Sequence, residues 1–207
     1  MKRFAYIDVE NTATTTEQML GFVVDWKKLG EFLKNDKSCS QVFFYTGIEE
    51  GDQHKAAEFE ALKSLGCCVV RSKLKKRYKK NDKIVTFACT GCGLTNTRTV
   101  DMGYNTKANC DVELTVDALE NAADSNECFI FSGDGDFEFL ARKLMEKKTK
   151  VTFVSHAKVY MRAGLPYGRY SKKLRDLVAA NPKEISFQEI QNWKFKMQKD
   201  VNPGVKP

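Results

Sequence analysis

Residues Ser132-Gly133-Asp134-Gly135-Asp136 stand between an apolar run, residues 128–131, and an amphipathic segment, residues 137–145. That order carries a buried strand into a helix N-terminus and leaves two carboxylates at the junction. In open parallel sheets ligands collect beyond the carboxyl ends of the strands, so acids placed there point to a bound cation or a phosphate complex. A matching place occurs near the start. Residues 4–9 read as a buried strand that ends in Asp8-Val9-Glu10-Asn11-Thr12, which puts Asp8 at the same edge as Asp134.

A third acid, Asp111, opens a helical pattern between them. Val112, Val116, Leu119 and Ala123 recur at helical spacing, as do Leu114, Thr115, Ala118 and Ala122. Glu113, Asp117, Glu120 and Asp124 define the polar face. Asp111 lies one turn before Thr115, on the border of the apolar side, and is the unusual acid of the segment.

Strand and helix patterns alternate along most of the chain. Asp25 reads as the N-cap of a helix reaching Lys34, with Trp26, Leu29, Phe32 and Leu33 inward. Residues 41–46 form a second strand. Residues 53–65 form a helix with Ala56, Phe59, Leu62 and Leu65 on one side and Gly66 as its C-cap. A third strand spans 67–70. After residue 105 the rhythm resumes with the Asp111 helix, a strand at 128–131, a helix at 136–147 and a strand at 150–155. These elements predict a three-layer α/β/α architecture: an open parallel sheet of about five strands with helices on both faces.

The interval 71–105 breaks the alternation and reads as an insertion. Residues 84–88 and 96–101 alternate like hairpin arms, joined through Cys89-Thr90-Gly91-Cys92-Gly93. A Cys-x-x-Cys-Gly turn is half of a structural zinc site. The other half would come from Cys67, Cys68, Cys110 or His54; otherwise the turn is a reduced hairpin tip. Basic charge is densest just before it, at Lys73, Lys75, Lys76, Arg77, Lys79, Lys80 and Lys83 around Tyr78. A second basic stretch carries Arg162, Arg169, Lys172, Lys173 and Arg175, interleaved with Tyr160, Tyr167 and Tyr170. Both suit a phosphate backbone and unstacked bases, or else a solvated loop and helix face.

The chain has 207 residues, 42% of them hydrophobic, enough for one sizeable core with elaborations. No run reaches membrane-spanning length, and Met1-Lys2-Arg3 leads straight into a strand without a secretory apolar region. A cytoplasmic location is the expectation, with no membrane partner. Seven cysteines without an export signal favour reduced thiols over a disulfide framework. The net charge of +7 must lie away from the acidic edge. Beyond residue 155, residues 164–168 form a turn and residues 171–179 a short basic helix. Residues 186–197 read as an amphipathic helix with Phe187, Ile190, Trp193 and Met197 in step. It packs back on the domain or offers a homo-oligomer surface, and residues 202–207 fray. The expected division is a domain at 1–160, including the insertion, and a basic helical extension at 161–207.

Asp8-x-x-Asn11 on the first strand, Lys107-x-x-x-Asp111 at the central helix, and Ser132-Gly133-Asp134-x-Asp136-Phe137 after a later strand resemble the NYN family of PIN-like nucleases, in its LabA-like branch. The similarity covers roughly residues 3–155. The resemblance implies a Rossmann-like domain that hydrolyses RNA phosphodiesters, as an endoribonuclease, with Mg²⁺ or Mn²⁺ as cofactor. It assigns metal ligation to Asp8, Asp111, Asp134 and Asp136, with Asn11 supporting the first and Ser132 orienting the loop. Carboxylate oxygens suit such ions, which keep waters and leave room for a substrate phosphate. Lys107 is then a phosphate contact or a salt-bridge partner, while the cysteine hairpin and the basic insertion lie outside the core pattern. RNA, single-stranded or structured, is the expected partner, with single-stranded DNA left open.

Two other readings compete. Asp8-x-Glu10-x-Thr12, Thr46 and Gly133-Asp134-Gly135-Asp136 approximate the motifs of haloacid-dehalogenase-like phosphatases, with Asp8 as nucleophile. Glu10 departs from that pattern, and Asp111 stays unexplained by it. The second is a non-catalytic RNA-binding protein, in which Asp134 and Asp136 merely cap a helix.

Overall fold

Apolar residues along the sheet strands alternate in the face they present, so the sheet must be covered on both sides. The computed structural model describes residues 1–200, Arg162 by its backbone alone. β1 (Arg3–Asp8) leads into α1 (Val9–Leu20), α2 (Trp26–Asn35), β2 (Gln41–Ile48), α3 (Gln53–Leu62) and β3 (Cys68–Leu74). The insertion supplies β4 (Lys76–Lys79), β5 (Lys83–Ala88), β6 (Thr95–Val100) and β7 (Tyr104–Lys107). There follow α4 (Asp111–Glu120), β8 (Glu127–Phe131), α5 (Glu138–Glu146), β9 (Lys150–Ser155), β10 (Tyr160–Arg162) and β11 (Leu165–Tyr167). α6 (Lys172–Ala180), β12 (Ile185–Glu189) and α7 (Lys194–Met197) complete the described chain.

Six strands make one parallel sheet in the order β12-β9-β8-β1-β2-β3. On one face Ile7, Phe44 and Phe131 pack against Leu29, Leu33, Phe59 and Trp193; on the other, Tyr6, Phe43, Ile130 and Phe153 pack against Leu114, Leu140, Leu144 and Leu174. The chain winds one way from β1 through β3 and the other way from β8 through β12. The switch point therefore falls between β1 and β8, where their carboxyl ends open a crevice. Asp8 ends β1 and Ser132-Gly133-Asp134 follows β8, so the topology alone brings the first and last acidic segments together.

The five expected strands are present, and the structure adds a sixth. Residues 186–197 are not one helix: β12 pairs with β9, then a 3-10 turn at Ile190–Trp193 leads into the short α7. Ile185 and Phe187 belong to a two-residue period, whereas Ile190, Trp193 and Met197 continue in helical steps, and the overlap disguised the strand. The turn or linker expected at 164–168 carries the second arm of a hairpin, β11 pairing with β10. In α4, Val112 and Val116 are exposed, while Asp117, expected on the polar face, is buried. Its carboxylate accepts from Tyr45 Oη at 2.8 Å and from Arg71 Nε and Nη2 at 3.1 and 3.0 Å, which satisfies the buried charge. The expected basic loop is β4, paired antiparallel with β7; beyond it β5 and β6 form an exposed hairpin. Residues 202–207 lie outside the described residues.

Candidate active site

Asp8 is the last residue of β1 and the N-cap of α1. Its Oδ1 accepts from the Asn11 backbone N–H at 3.1 Å, and its Oδ2 accepts from Ser132 Oγ at 3.2 Å. Ser132 Oγ in turn accepts from the Asp134 N–H at 3.2 Å, and Asn11 Oδ1 accepts from the Gly133 N–H at 3.1 Å. Asn11 and Ser132 thus stitch the end of β1 to the loop after β8. Asp134 Oδ1 accepts from the Asp136 N–H at 3.0 Å, so this carboxylate does cap the following turn while its second oxygen stays available.

The loop is held from the far side by residues outside the expected core domain. Ser171 N–H donates to the Gly133 carbonyl at 2.9 Å, and a Cβ on Gly133 would sit 1.8 Å from the Arg169 carbonyl oxygen. Only glycine permits that approach. The segment leading into α6 is therefore part of the wall around the acids.

Asp8, Asn11 and Asp111 line one cleft together with Lys75, Lys107 and Arg169. Asp134 and Asp136 are exposed at its margin. Burial pushes the Asp8 carboxyl up to about 6; the negative charges of Asp111 and Asp134 push the same way, against the hydrogen bonds from Asn11 and Ser132. Asp111 is also raised, first by burial and then by Asp134, Asp136 and Glu113, against its bond to Asn109. The acids feel one another, and that mutual repulsion is what a cation would relieve.

Among the described residues no three His, Cys, Asp or Glu side chains stand close enough to enclose an ion. A small hard cation such as Mg²⁺ attaches through one or two carboxylates and keeps most of its waters. The donor set of Asp8 with Asp111 or Asp134 fits that partly hydrated mode rather than an all-protein cage.

Several expected phosphate contacts are already engaged. Lys73 pairs with Glu113 at 2.6 Å, Lys75 lies 3.5 Å from Glu10 and 3.7 Å from Glu49, and Lys79 pairs with Asp82 and Asp101. Arg77 stacks over the Tyr104 ring at 4.0 Å. Tyr78, Lys79, Lys80, Asn105 and Lys107 line a shallow groove on the β4–β7 ribbon, and Lys107 is common to that groove and the acidic cleft. Lys76 is exposed on the same ribbon. Arg169 was visible in the sequence only as one cation among tyrosines. Its Nη2 donates to Gln18 at 2.8 Å, but its buried Nε meets no acceptor among the described residues, beside the cleft that Asp8 and Asp111 line.

Cys89 and Cys92 sit at the tip of the hairpin. Cys67, Cys68 and Cys110 are buried in the body of the fold, and His54 is on α3, so the expected intrachain completion of a zinc site is not what the fold builds.

The sequence pattern of the NYN domain family matches residues 4–164, more than three quarters of the chain. The chain belongs to the NYN domain family. This NYN domain is 26% identical over 147 residues to the low amplitude and bright protein LabA of Synechococcus elongatus, covering 70% of this chain and 69% of that protein. A solved Vibrio parahaemolyticus protein of unknown function shares the fold with a TM-score of 0.59 at 19% identity, over 96% of each chain. The match to the family stops before Arg169, so the segment that walls the acidic loop from the C-terminal side lies beyond it. No helix among the described residues is long and apolar enough to cross a membrane.

Proposed function

We propose that this NYN domain is a Mg²⁺- or Mn²⁺-dependent ribonuclease. The observation that carries the reading is the convergence of Asp8, Asp111 and Asp134 on the switch point of a parallel sheet, with the carboxyl of Asp8 held up to about 6 by burial and by its acidic neighbours. An acidic cluster with no cation against it is costly, and a divalent ion converts that cost into binding free energy.

Asp8 and Asp134 would hold the ion, with Asp111 and Asp136 contributing directly or through water. When bound, it would supply a water of lowered pKa and offset charge that builds on the phosphoryl oxygens. Asn11 and Ser132 fix the Asp8 rotamer, so the carboxylate needs little rearrangement to serve. Lys107 and Arg169 line the same cleft as Asp8 and Asp111 and receive the phosphate, the Arg169 Nε finding there an acceptor. Lys76, Lys80 and Tyr78 along the ribbon then guide the strand beyond the cleft.

A phosphatase of the haloacid-dehalogenase type would act through an acid at the place of Glu10, and here Glu10 departs from that pattern and is paired with Lys55 at 2.7 Å; that reading also gives Asp111 no task. The distinguishing experiment sets p-nitrophenyl phosphate against labelled RNA. Turnover of RNA alone supports the nuclease; turnover of the aryl phosphate that requires Asp8 refutes it.

A further inference from the structure

The tip of the β5–β6 hairpin is chemically unlike the rest of the chain. Residues 84–97 contain no charged side chain, although 29% of the protein's residues are charged and Lys83 and Arg98 flank the stretch. Within it Ile84, Phe87 and Leu94 are 70%, 51% and 68% exposed. Such a surface offers nothing to a phosphate backbone. It suits another protein surface of the same kind.

The turn itself is shaped for a metal. Cys89 N–H donates to the Leu94 carbonyl at 2.8 Å, and Gly93 N–H donates to the Cys89 carbonyl at 2.9 Å. Gly93 has φ of +73°, the left-handed conformation that lets the chain curl back. The N–H groups of Cys92 and Gly91 point at the Cys89 sulfur and hold its thiol below the usual range. Both thiols are reduced, with Cys92 exposed and Cys89 half-buried. The backbone thus brings the two cysteines together at one turn.

Two thiolates make half of a structural zinc site, which is tetrahedral and four-coordinate. The other five cysteines are buried in the body of the domain, and His156 is buried in a pair with Glu189. The remaining ligands must come from outside this hairpin. We propose that the hairpin tip is one half of a tetrathiolate zinc site completed by Cys89 and Cys92 of a second copy of this chain, so that zinc joins two NYN domains tip to tip. A two-fold axis through the ion makes the interface self-complementary, as closed dimers require. It buries Leu94 and its uncharged neighbours against their own counterparts. Lys83 and Arg98 at the foot of each hairpin offset the net negative charge of a zinc ion with four thiolates. No residue of the β5–β6 hairpin lines the acidic cleft.

The test uses the full chain under a non-thiol reductant, with zinc added in small steps and mass followed by sedimentation. One zinc per two chains, a doubling of mass, and return to monomer with chelator are expected. Cobalt in place of zinc should give the visible spectrum of a tetrahedral tetrathiolate. Cys92→Ser should lose both the metal and the dimer while its far-UV circular dichroism and its melting temperature without metal match those of the unaltered protein. One zinc per monomer, zinc retained by Cys92→Ser, or no zinc held at micromolar concentration would overturn the proposal. None of these results bears on the nuclease reading, which depends on the acids at the ends of β1 and β8 and at the start of α4.

Discussion

Replacing Asp8 by Asn should make the metal-free protein more stable while making it useless as a metal-dependent enzyme. In the folded state the Asp8 carboxyl sits at about 6, against 3.8 for an ordinary aspartate. A raised carboxyl binds its proton more tightly when folded, so its favourable contribution is complete below the ordinary value and is lost as pH rises through about 6. Above that pH, ionised Asp8 lowers stability by about 3 kcal/mol at most, from the size of the shift. Asn keeps an oxygen to accept from the Asn11 N–H and removes the charge. The gain at pH 7.5 should be about 1–3 kcal/mol, or roughly 3–10 °C in Tm for a chain of this size. Thermal melts from pH 3.5 to 8 in EDTA measure it. The unaltered protein should lose stability mainly between about pH 4 and 6 relative to Asp8→Asn and level off above that, and Mg²⁺ should restore stability only to the unaltered protein, increasingly as pH rises. Equal melting profiles for the two proteins, or stabilisation of both by Mg²⁺, would refute the electrostatic account of the site.

Arg169→Ala should weaken RNA binding about tenfold, through loss of a charge-assisted phosphate contact, and raise KM more than it lowers kcat; binding measured in EDTA separates this from any effect on metal. Lys107→Ala should reduce affinity and lower the salt dependence of binding by about one phosphate equivalent, whereas Lys73→Ala, already paired with Glu113, should leave the salt slope unchanged. Gly133→Ala should disrupt the acidic loop, because its methyl meets the Arg169 carbonyl at 1.8 Å; loss of Mg²⁺-dependent stabilisation in thermal melts reads this out. Asp117→Asn should destabilise the fold by about 1–2 kcal/mol, since it weakens the hydrogen bonds to Tyr45 and to the half-exposed Arg71, and chemical denaturation gives the value.

The five central strands were legible because short apolar runs bounded by polar turns have few other ways to be buried. The acids at the ends of β1 and β8 followed from that, since a parallel sheet places strand ends together whatever lies between them. α1 was not legible: Asn11 and the four threonines among residues 12–16 are poor helix formers, and the helix stands on the Asp8 cap and the burial of Thr12, Thr15 and Thr16. Thr14 and Thr15 also turn their hydroxyls back to the carbonyls of Glu10 and Asn11. Asp117 looked like a surface acid because periodicity cannot reveal a partner, Arg71, that approaches from 46 residues away. The wall made by Arg169 and Ser171 was hidden for the same reason, although the alternation of arginine and tyrosine there had marked the segment as more than a linker.

The most direct measurement is cleavage of end-labelled single-stranded RNA, stem-loop RNA and single-stranded DNA by the purified chain with Mn²⁺, Mg²⁺ or EDTA, beside Asp8→Asn and Asp134→Asn. The account predicts RNA cutting that requires the divalent ion and disappears in both variants. RNA bound but left intact under every metal condition, or cutting that survives both substitutions, would contradict it.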